Sequence, residues 1–189
     1  FNIRFDVKNV NDAPTLEEMS DTFSDQDAAF SYQLTATDVD TNVTNETLTY
    51  EAVEKPEWMT VSSGGLITGT PANDDVGEHV ITVKVTDSAG ESDTKTFTLT
   101  VNNVNDAPVF DFAPPNSTDE DAAFEFQLTA TDIDMDVVDN ETLTYEAVTT
   151  PDWMTVSSGG LITGTPENED VGSHSVTVLV RDSAGESDT

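Results

Sequence analysis

The sequence is written almost twice. Trp58-Met-Thr-Val-Ser-Ser-Gly-Gly-Leu-Ile-Thr-Gly-Thr-Pro71 returns unchanged as Trp153 to Pro166, and Glu46-Thr-Leu-Thr-Tyr-Glu-Ala-Val53 returns as Glu141 to Val148. Asp87-Ser-Ala-Gly-Glu-Ser-Asp-Thr94 returns as Asp182 to Thr189, and Val10-Asn-Asp-Ala-Pro14 as Val104 to Pro108. The offset is 94 residues up to two Asp-x-Asp loops and 95 beyond them, because Asp40 to Asn45 is one residue shorter than Asp134 to Asn140. Two near-identical units of this length are domains. Any fold proposed for the chain must therefore be made twice.

The phase of the repeat sets the expected boundaries. Phe1-Asn-Ile-Arg-Phe-Asp-Val-Lys-Asn-Val10 aligns with Lys95-Thr-Phe-Thr-Leu-Thr-Val-Asn-Asn-Val104, the run that closes the first full unit. Residues 1–10 are read as the last strand of a preceding or neighbouring domain, 11–104 as the first domain, and 105–189 as a second domain without its last strand. Either the chain belongs to a continuous array, or residues 1–10 of one copy complete the second domain of another.

Periodicity gives the fold class. Phe30, Tyr32, Leu34 and Ala36 alternate with polar residues, as do Phe124, Phe126, Leu128 and Ala130. Ile81, Val83 and Val85, their counterparts Val176, Val178 and Val180, and Phe97, Leu99 and Val101 keep the same period of two. This is the pattern of half-buried strands, and no stretch keeps a helical period. Strands with one apolar face are best buried by stacking two antiparallel sheets, so each unit is expected to be an all-β, seven-strand Ig-like or cadherin-like sandwich. Trp58 and Trp153 are the expected core anchors.

Composition then narrows function. There are 38 Asp and Glu against 6 Lys and Arg, a formal net charge of −32. Such a surface repels phosphate, which excludes nucleic acid held in a basic groove and adsorption to anionic membranes. There is no apolar run long enough to insert in a bilayer and no signal-peptide pattern at the first residues. The absence of cysteine removes disulfides, thiolate metal sites and cysteine nucleophiles. The acids punctuate strand-like segments in a chain that is 35% hydrophobic, so disorder is not expected. What remains is acidity for solubility or acidity for hard cations.

Taken in order, Pro56-Glu-Trp-Met, Gly-Leu-Ile-Thr-Gly-Thr-Pro, Val-Thr-Asp-Ser-Ala-Gly and Asn-Asp-Ala-Pro resemble the bacterial dystroglycan-type cadherin-like repeat, a close relation of the "putative Ig" repeats of large surface adhesins. The resemblance covers both units. It implies tandem Ig/cadherin-like domains that are extracellular, secreted or displayed on a bacterial or archaeal surface.

Each unit carries Ala-Thr-Asp-x-Asp after an alternating strand: Asp38 and Asp40, then Asp132 and Asp134, followed by Asn45 and Asn140. Carboxylates two apart on an extended loop can turn to one side and share a cation. Calcium takes six to eight hard oxygens of this kind, whereas magnesium prefers to keep its own waters. An EF-hand also begins Asp-x-Asp-x-Asp, as at Asp132, Asp134 and Asp136, but Val137 stands where its turn needs glycine, and Leu143 where its bidentate glutamate belongs. The cadherin resemblance implies calcium between consecutive domains. The linker Asn103-Val-Asn105-Asp106-Ala-Pro108 and the following domain's Asp132, Asp134, Asn140 and Asp182 would supply ligands, with Asp25 from the preceding domain. The cadherin Asp-Arg-Glu motif is replaced by Asn73-Asp74-Asp75, which leaves Asp75 as its counterpart. A second half-site is expected from Asn9, Asn11, Asp12, Asp38, Asp40, Asn45 and Asp87.

No catalytic constellation is expected. With 38 acids, two close carboxylates do not indicate a glycosidase. His79 and His174 lie at equivalent positions outside any metal or nucleophile motif and are read as surface or edge-strand residues. The reading is a non-enzymatic, calcium-binding structural or adhesive repeat, in which Ca²⁺ at the linkers stiffens a rod of further copies in cell adhesion, matrix or filament. Two alternatives stand beside it: a filament subunit that donates residues 1–10 to a neighbour's second domain, and a glycan-binding appendage of a polysaccharide-degrading enzyme.

Overall fold

The computed structural model describes residues 1–41, 46–111, 113–115, 117–138 and 141–189. The chain divides into two compact units, Phe1–Asn103 and Val104–Thr189. Among the described residues no helix is long and apolar enough to cross a membrane.

The first unit contains β1 (Thr15–Leu16), β2 (Thr22–Asp25), β3 (Phe30–Gln33), β4 (Ala36–Thr37), β5 (Thr49–Glu54), β6 (Met59–Val61), β7 (Leu66–Gly69), β8 (Gly77–Thr86) and β9 (Ser92–Asn102). One sheet runs β2-β9-β8-β5, another β3-β7-β6, and β1 pairs with β4. β3 and β4 are the two halves of one alternating run, interrupted at Leu34 and Thr35; β1 and β2 likewise form one split edge. Counted that way the unit has the seven strands expected from the sequence. All pairings are antiparallel except β2 with β9, where Thr22 to Asp25 run parallel to Leu99 to Asn102.

Alternation decides what is buried. Ile81, Val83, Val85, Phe97 and Leu99 from one sheet meet Leu34, Met59 and Ile67 from the other, with Leu16 beside them. Outward positions carry threonines that bond across strands, such as Thr82 with Thr96 at 3.1 Å between hydroxyls. Trp58 is not at the centre: Met59 is, with no exposed surface. The indole lies on the flank over Gly69, where an added Cβ would sit 2.6 Å from ring atom Cε3. His79 lies in the part of β8 that β9 alone pairs, half-buried, its ring edge-on to Trp58 at 6.0 Å and Nε2 2.6 Å from the Asp75 carbonyl oxygen, and its counterpart His174 is exposed.

The second unit repeats this plan in β10 (Val109–Phe110), β11 (Phe124–Gln127), β12 (Ala130–Thr131), β13 (Thr144–Thr149), β14 (Met154–Val156), β15 (Leu161–Gly164), β16 (Thr177–Arg181) and β17 (Ser187–Asp188). Its sheets are β11-β15-β14 and β13-β16-β17, with β10 on β12. The registers match those of the first unit, as in Phe126↔Ile162 against Tyr32↔Ile67. Among the described residues no strand corresponds to β2, and two elements are shorter. β17 covers only the first two residues of the counterpart of β9, and β16 has five residues where β8 has ten.

Candidate metal centre

Each unit gathers buried carboxylates where its entry segment meets two loops. In the first unit β8 ends at Thr86, and Asp87 folds the chain back into β9. Its Oδ1 accepts from the N–H groups of Ala89 (3.0 Å), Gly90 (2.6 Å) and Glu91 (2.8 Å). Gly90, at φ +102°, supplies the left-handed step this tight turn requires. Oδ2 accepts from Asn11 Nδ2 at 2.9 Å, which ties the incoming segment to the loop. Asp12 N–H donates to Asp40 Oδ2 at 2.7 Å, and Asp40 N–H donates to Asp38 Oδ1 at 2.8 Å. Asp40 and Asp87 are buried.

The second unit builds the same set. Asn105 Nδ2 donates to Asp182 Oδ2 at 2.8 Å, Asp106 N–H to Asp134 Oδ2 at 2.7 Å, and Asp134 N–H to Asp132 Oδ1 at 2.9 Å. Asp132 and Asp182 are buried, and Asp134 has no exposed surface at all. The Asp-x-Asp segment is not extended here: Ile133–Asp136 forms a 3-10 turn whose N-cap is Asp132.

These carboxylates are more buried than their bonding explains. Asp38 Oδ2 and Asn11 Oδ1 in one unit, and Asp132 Oδ2 and Asp134 Oδ1 in the other, are buried oxygens with no hydrogen-bond partner. A buried acceptor normally finds a donor, and a buried anion left unpaired is costly. Protonation reflects the conflict. Burial pushes the Asp132 carboxyl above its usual range, with the charges of Asp134, Glu141 and Asp182 adding to the rise, against the pull of the Asp134 N–H. Asp87 is held below the usual range, chiefly by the Asn11 amide and then by three backbone N–H groups, against its burial. For Asp182 burial raises the pKa, but Asn105 and the loop N–H groups together outweigh it and the net direction is down.

Sequence reading missed one member of the site. In the first unit oxygens of Asp38, Glu46 and Asp87 lie within 4.8 Å of one another. In the second, Glu141 accepts from Ser183 N–H at 2.8 Å and from its hydroxyl, which holds its carboxyl below the ordinary glutamate range. The available signal was position: Glu46 and Glu141 open an identical repeated segment directly after Asn45 and Asn140. Those two asparagines lie outside the described residues.

The remaining expected ligands, Asn9 for the first site and Asp25, Asp75 and Asn103 for the second, belong to the first unit. Asn9 is exposed in a segment without strand pairing. Asp25 Oδ1 accepts from Asn102 Nδ2 at 3.0 Å, and Asp75 Oδ2 accepts from Ala72 N–H at 2.9 Å as the cap of a 3-10 turn. Gly77 pairs with Val101 at one end of β8, and Thr86 with Ser92 at the other. At about 3.3 Å per residue, Asp75 and Asn103 are therefore about 30 Å from Asp87, at the opposite end of the first unit. Asn103 Oδ1 is another buried oxygen without a hydrogen-bond partner.

The donor set suits a hard cation. Among the described residues carboxylate and amide oxygens converge without nitrogen or sulfur ligands, and orphaned acceptors face the carboxylates that crowd them. This chemistry fits calcium.

The family model described as Putative Ig domain matches residues 13–102 and 107–189. Among curated proteins no sequence matches the chain. Solved structures resemble it in fold. Mouse Cadherin-23 EC22-24 is 17% identical at TM-score 0.61, over 95% of this chain and 64% of that one. Human Protocadherin-24 EC1-2 is 18% identical at TM-score 0.58, over 95% and 94%. Protocadherin Gamma B2 extracellular cadherin domains 3-6 is 18% identical at TM-score 0.56, over 96% and 51%. The chain spans only 27% and 33% of two longer structures that it also matches.

Proposed function

The chain belongs to the Putative Ig domain family, present in two tandem copies with the fold of cadherin domains, and from that premise we propose that it is an extracellular structural or adhesive repeat whose acidic clusters bind calcium. The observation that carries this reading is the pair of crowded carboxylate clusters, each with buried oxygens that lack a hydrogen-bond partner. In the first unit the shell draws on Asn11, Asp38, Asp40, Glu46 and Asp87; in the second on Asn105, Asp132, Asp134, Glu141 and Asp182. Without the ion these carboxylates repel one another. With it, repulsion becomes cross-linking of the entry segment, the Asp-x-Asp loop and the hairpin after β8 or β16. The further step, in which Asp25, Asp75 and Asn103 of a preceding repeat complete the coordination and stiffen an array, rests on the sequence resemblance.

Extracellular modules of this type bind calcium with Kd on the order of 10⁻⁴–10⁻³ M. At ten times Kd the gain is about 1.4 kcal/mol, which in a domain of this size raises Tm by roughly 6–11 °C. Thermal melting in calcium and in EDTA tests the reading, with Asp132→Asn plus Asp134→Asn as the comparison. Asparagine keeps each acceptor for Asp106 and Asp134 N–H while removing the charge. The second unit of the double variant should lose most of its calcium response. A chain whose melting is indifferent to calcium overturns the proposal.

A further inference from the structure

The two clusters are built from the same residues but do not hold them alike. In the first unit, oxygens of Asp38, Glu46 and Asp87 lie within 4.8 Å of one another. Among the described residues their counterparts Asp132, Glu141 and Asp182 form no such group. Glu141 is turned to Ser183 instead. Its Oε1 accepts from the Ser183 N–H at 2.8 Å, and the serine hydroxyl lies 2.9 Å from Oε1 and 2.8 Å from Oε2. The segments that carry these groups are identical in the two units: Glu46 to Val53 matches Glu141 to Val148, and Asp87 to Thr94 matches Asp182 to Thr189. The difference enters just before the glutamate, where Asp134 to Asn140 is one residue longer than Asp40 to Asn45.

A carboxylate serves as a cation ligand only with a lone pair directed at the ion. In the first unit three carboxylates already converge. In the second, both Glu141 oxygens are engaged by one serine. Asp132 Oδ2 and Asp134 Oδ1, on side chains no more than 8% exposed, meanwhile lack a hydrogen-bond partner. The demand for a cation is thus present in the second unit, with one of its ligands held aside. Bringing Glu141 in exchanges hydrogen bonds to a charged acceptor for coordination, and bonds of that kind are stronger than neutral ones.

Resting on the calcium reading above, we infer that Ser183 is a latch on Glu141 and that the two units load in order. The first unit binds calcium at the lower concentration. The second fills only as Glu141 leaves Ser183 and turns toward Asp132 and Asp182. Between the two midpoints one unit is cross-linked while the other still carries its repulsion. Two near-identical repeats thereby respond over a wider span of calcium than two equal sites would.

Calcium titration of the full chain, followed by amide correlation spectra, reads the two sites separately, because the Gly90 and Gly185 N–H groups donate to Asp87 and Asp182. The Gly185 resonance should reach half its shift at about tenfold more calcium than the Gly90 resonance. Ser183→Ala removes the hydroxyl and keeps the N–H, and should lower the Gly185 midpoint several-fold. Ser183→Thr, which keeps a hydroxyl, should leave the gap in place, and Ser88→Ala should not move the Gly90 midpoint. With Glu141→Gln added, Ser183→Ala should bring little gain, whereas a purely structural effect of the serine would persist. Equal or reversed midpoints in the unmutated chain, or a Ser183→Ala gain that survives Glu141→Gln, overturn the latch and leave calcium binding standing. Spectra indifferent to calcium in both units overturn the calcium reading, and the latch with it.

Discussion

At the residue scale, the response to a cation turns on the charge of Asp132. Burial raises the Asp132 pKa. A carboxyl whose folded pKa lies above its unfolded value contributes stability that is complete at low pH and lost as pH rises through the folded pKa. At pH 7 the ionised Asp132 therefore works against folding until a cation joins it. Asp132→Asn is expected to raise Tm in EDTA and to lower it in millimolar calcium, an inversion that a merely structural aspartate would not give. Asp87 has the opposite dependence. Its pKa is lowered by Asn11 and the loop amides, so its contribution is present above the unfolded carboxyl pKa and fades as pH falls through the folded one. Acid titration of Asp87→Asn should show a shallower loss of stability below about pH 4 than the unmutated chain. Two glycines make a purely steric test. Gly69 has no room for a Cβ against the Trp58 ring and carbonyl, whereas at Gly64 the nearest heavy atom is 4.0 Å away. Gly69→Ala should cost about 1–3 kcal/mol by urea unfolding, and Gly64→Ala should be close to neutral.

Elements show how far the sequence could be read. The two periods, the all-β class and most strand positions follow from alternation and repetition, because a half-buried strand must alternate and its partner must copy the pattern. The Asp-x-Asp pair was legible as a cation-binding signal, but its shape was not. Asp134 N–H donates to the Asp132 carboxylate and winds the segment into a 3-10 turn, and no spacing rule announces that. Glu46 and Glu141 were missed because they come from outside the loop motifs and reach the site only through the fold. The limits of local pattern are plainest in β8 and β16. Ile81, Val83 and Val85 alternate as Val176, Val178 and Val180 do, yet one run makes ten strand residues and the other five. A strand exists where its N–H and C=O groups have partners, and β9 supplies them along all of β8. Hydrogen exchange should therefore protect amides paired within 77–86 while those of 172–176 exchange rapidly. Equal protection in the two segments would contradict this account of β16.

For the whole molecule the question is what a net charge of −32 does. Cationic side chains offset little of it. Lys84 pairs with Glu51 at 3.2 Å and Lys95 with Glu18 at 2.6 Å, both on exposed acids, and such pairs contribute little. General self-repulsion and site-specific repulsion make different demands on salt. Dispersed surface charge is relieved by any electrolyte, because the Debye length falls to about 8 Å at 0.15 M. Carboxylates packed within a few ångströms of one another lie inside that distance and are only weakly screened; they need an ion among them. If the acidity served solubility alone, sodium chloride, magnesium and calcium should raise Tm equally at matched ionic strength. The buried clusters predict otherwise. On a background of about 0.15 M sodium chloride, a few millimolar calcium should still raise Tm by several degrees. Magnesium at the same concentration should give less than half that rise, because it surrenders its waters reluctantly and fits a flexible many-oxygen shell poorly. Melting curves across the three salts measure the division directly. Equal responses would assign the charge to the surface as a whole, and a calcium-selective rise would assign the decisive part of it to Asp38, Asp40, Asp87 and their counterparts Asp132, Asp134 and Asp182.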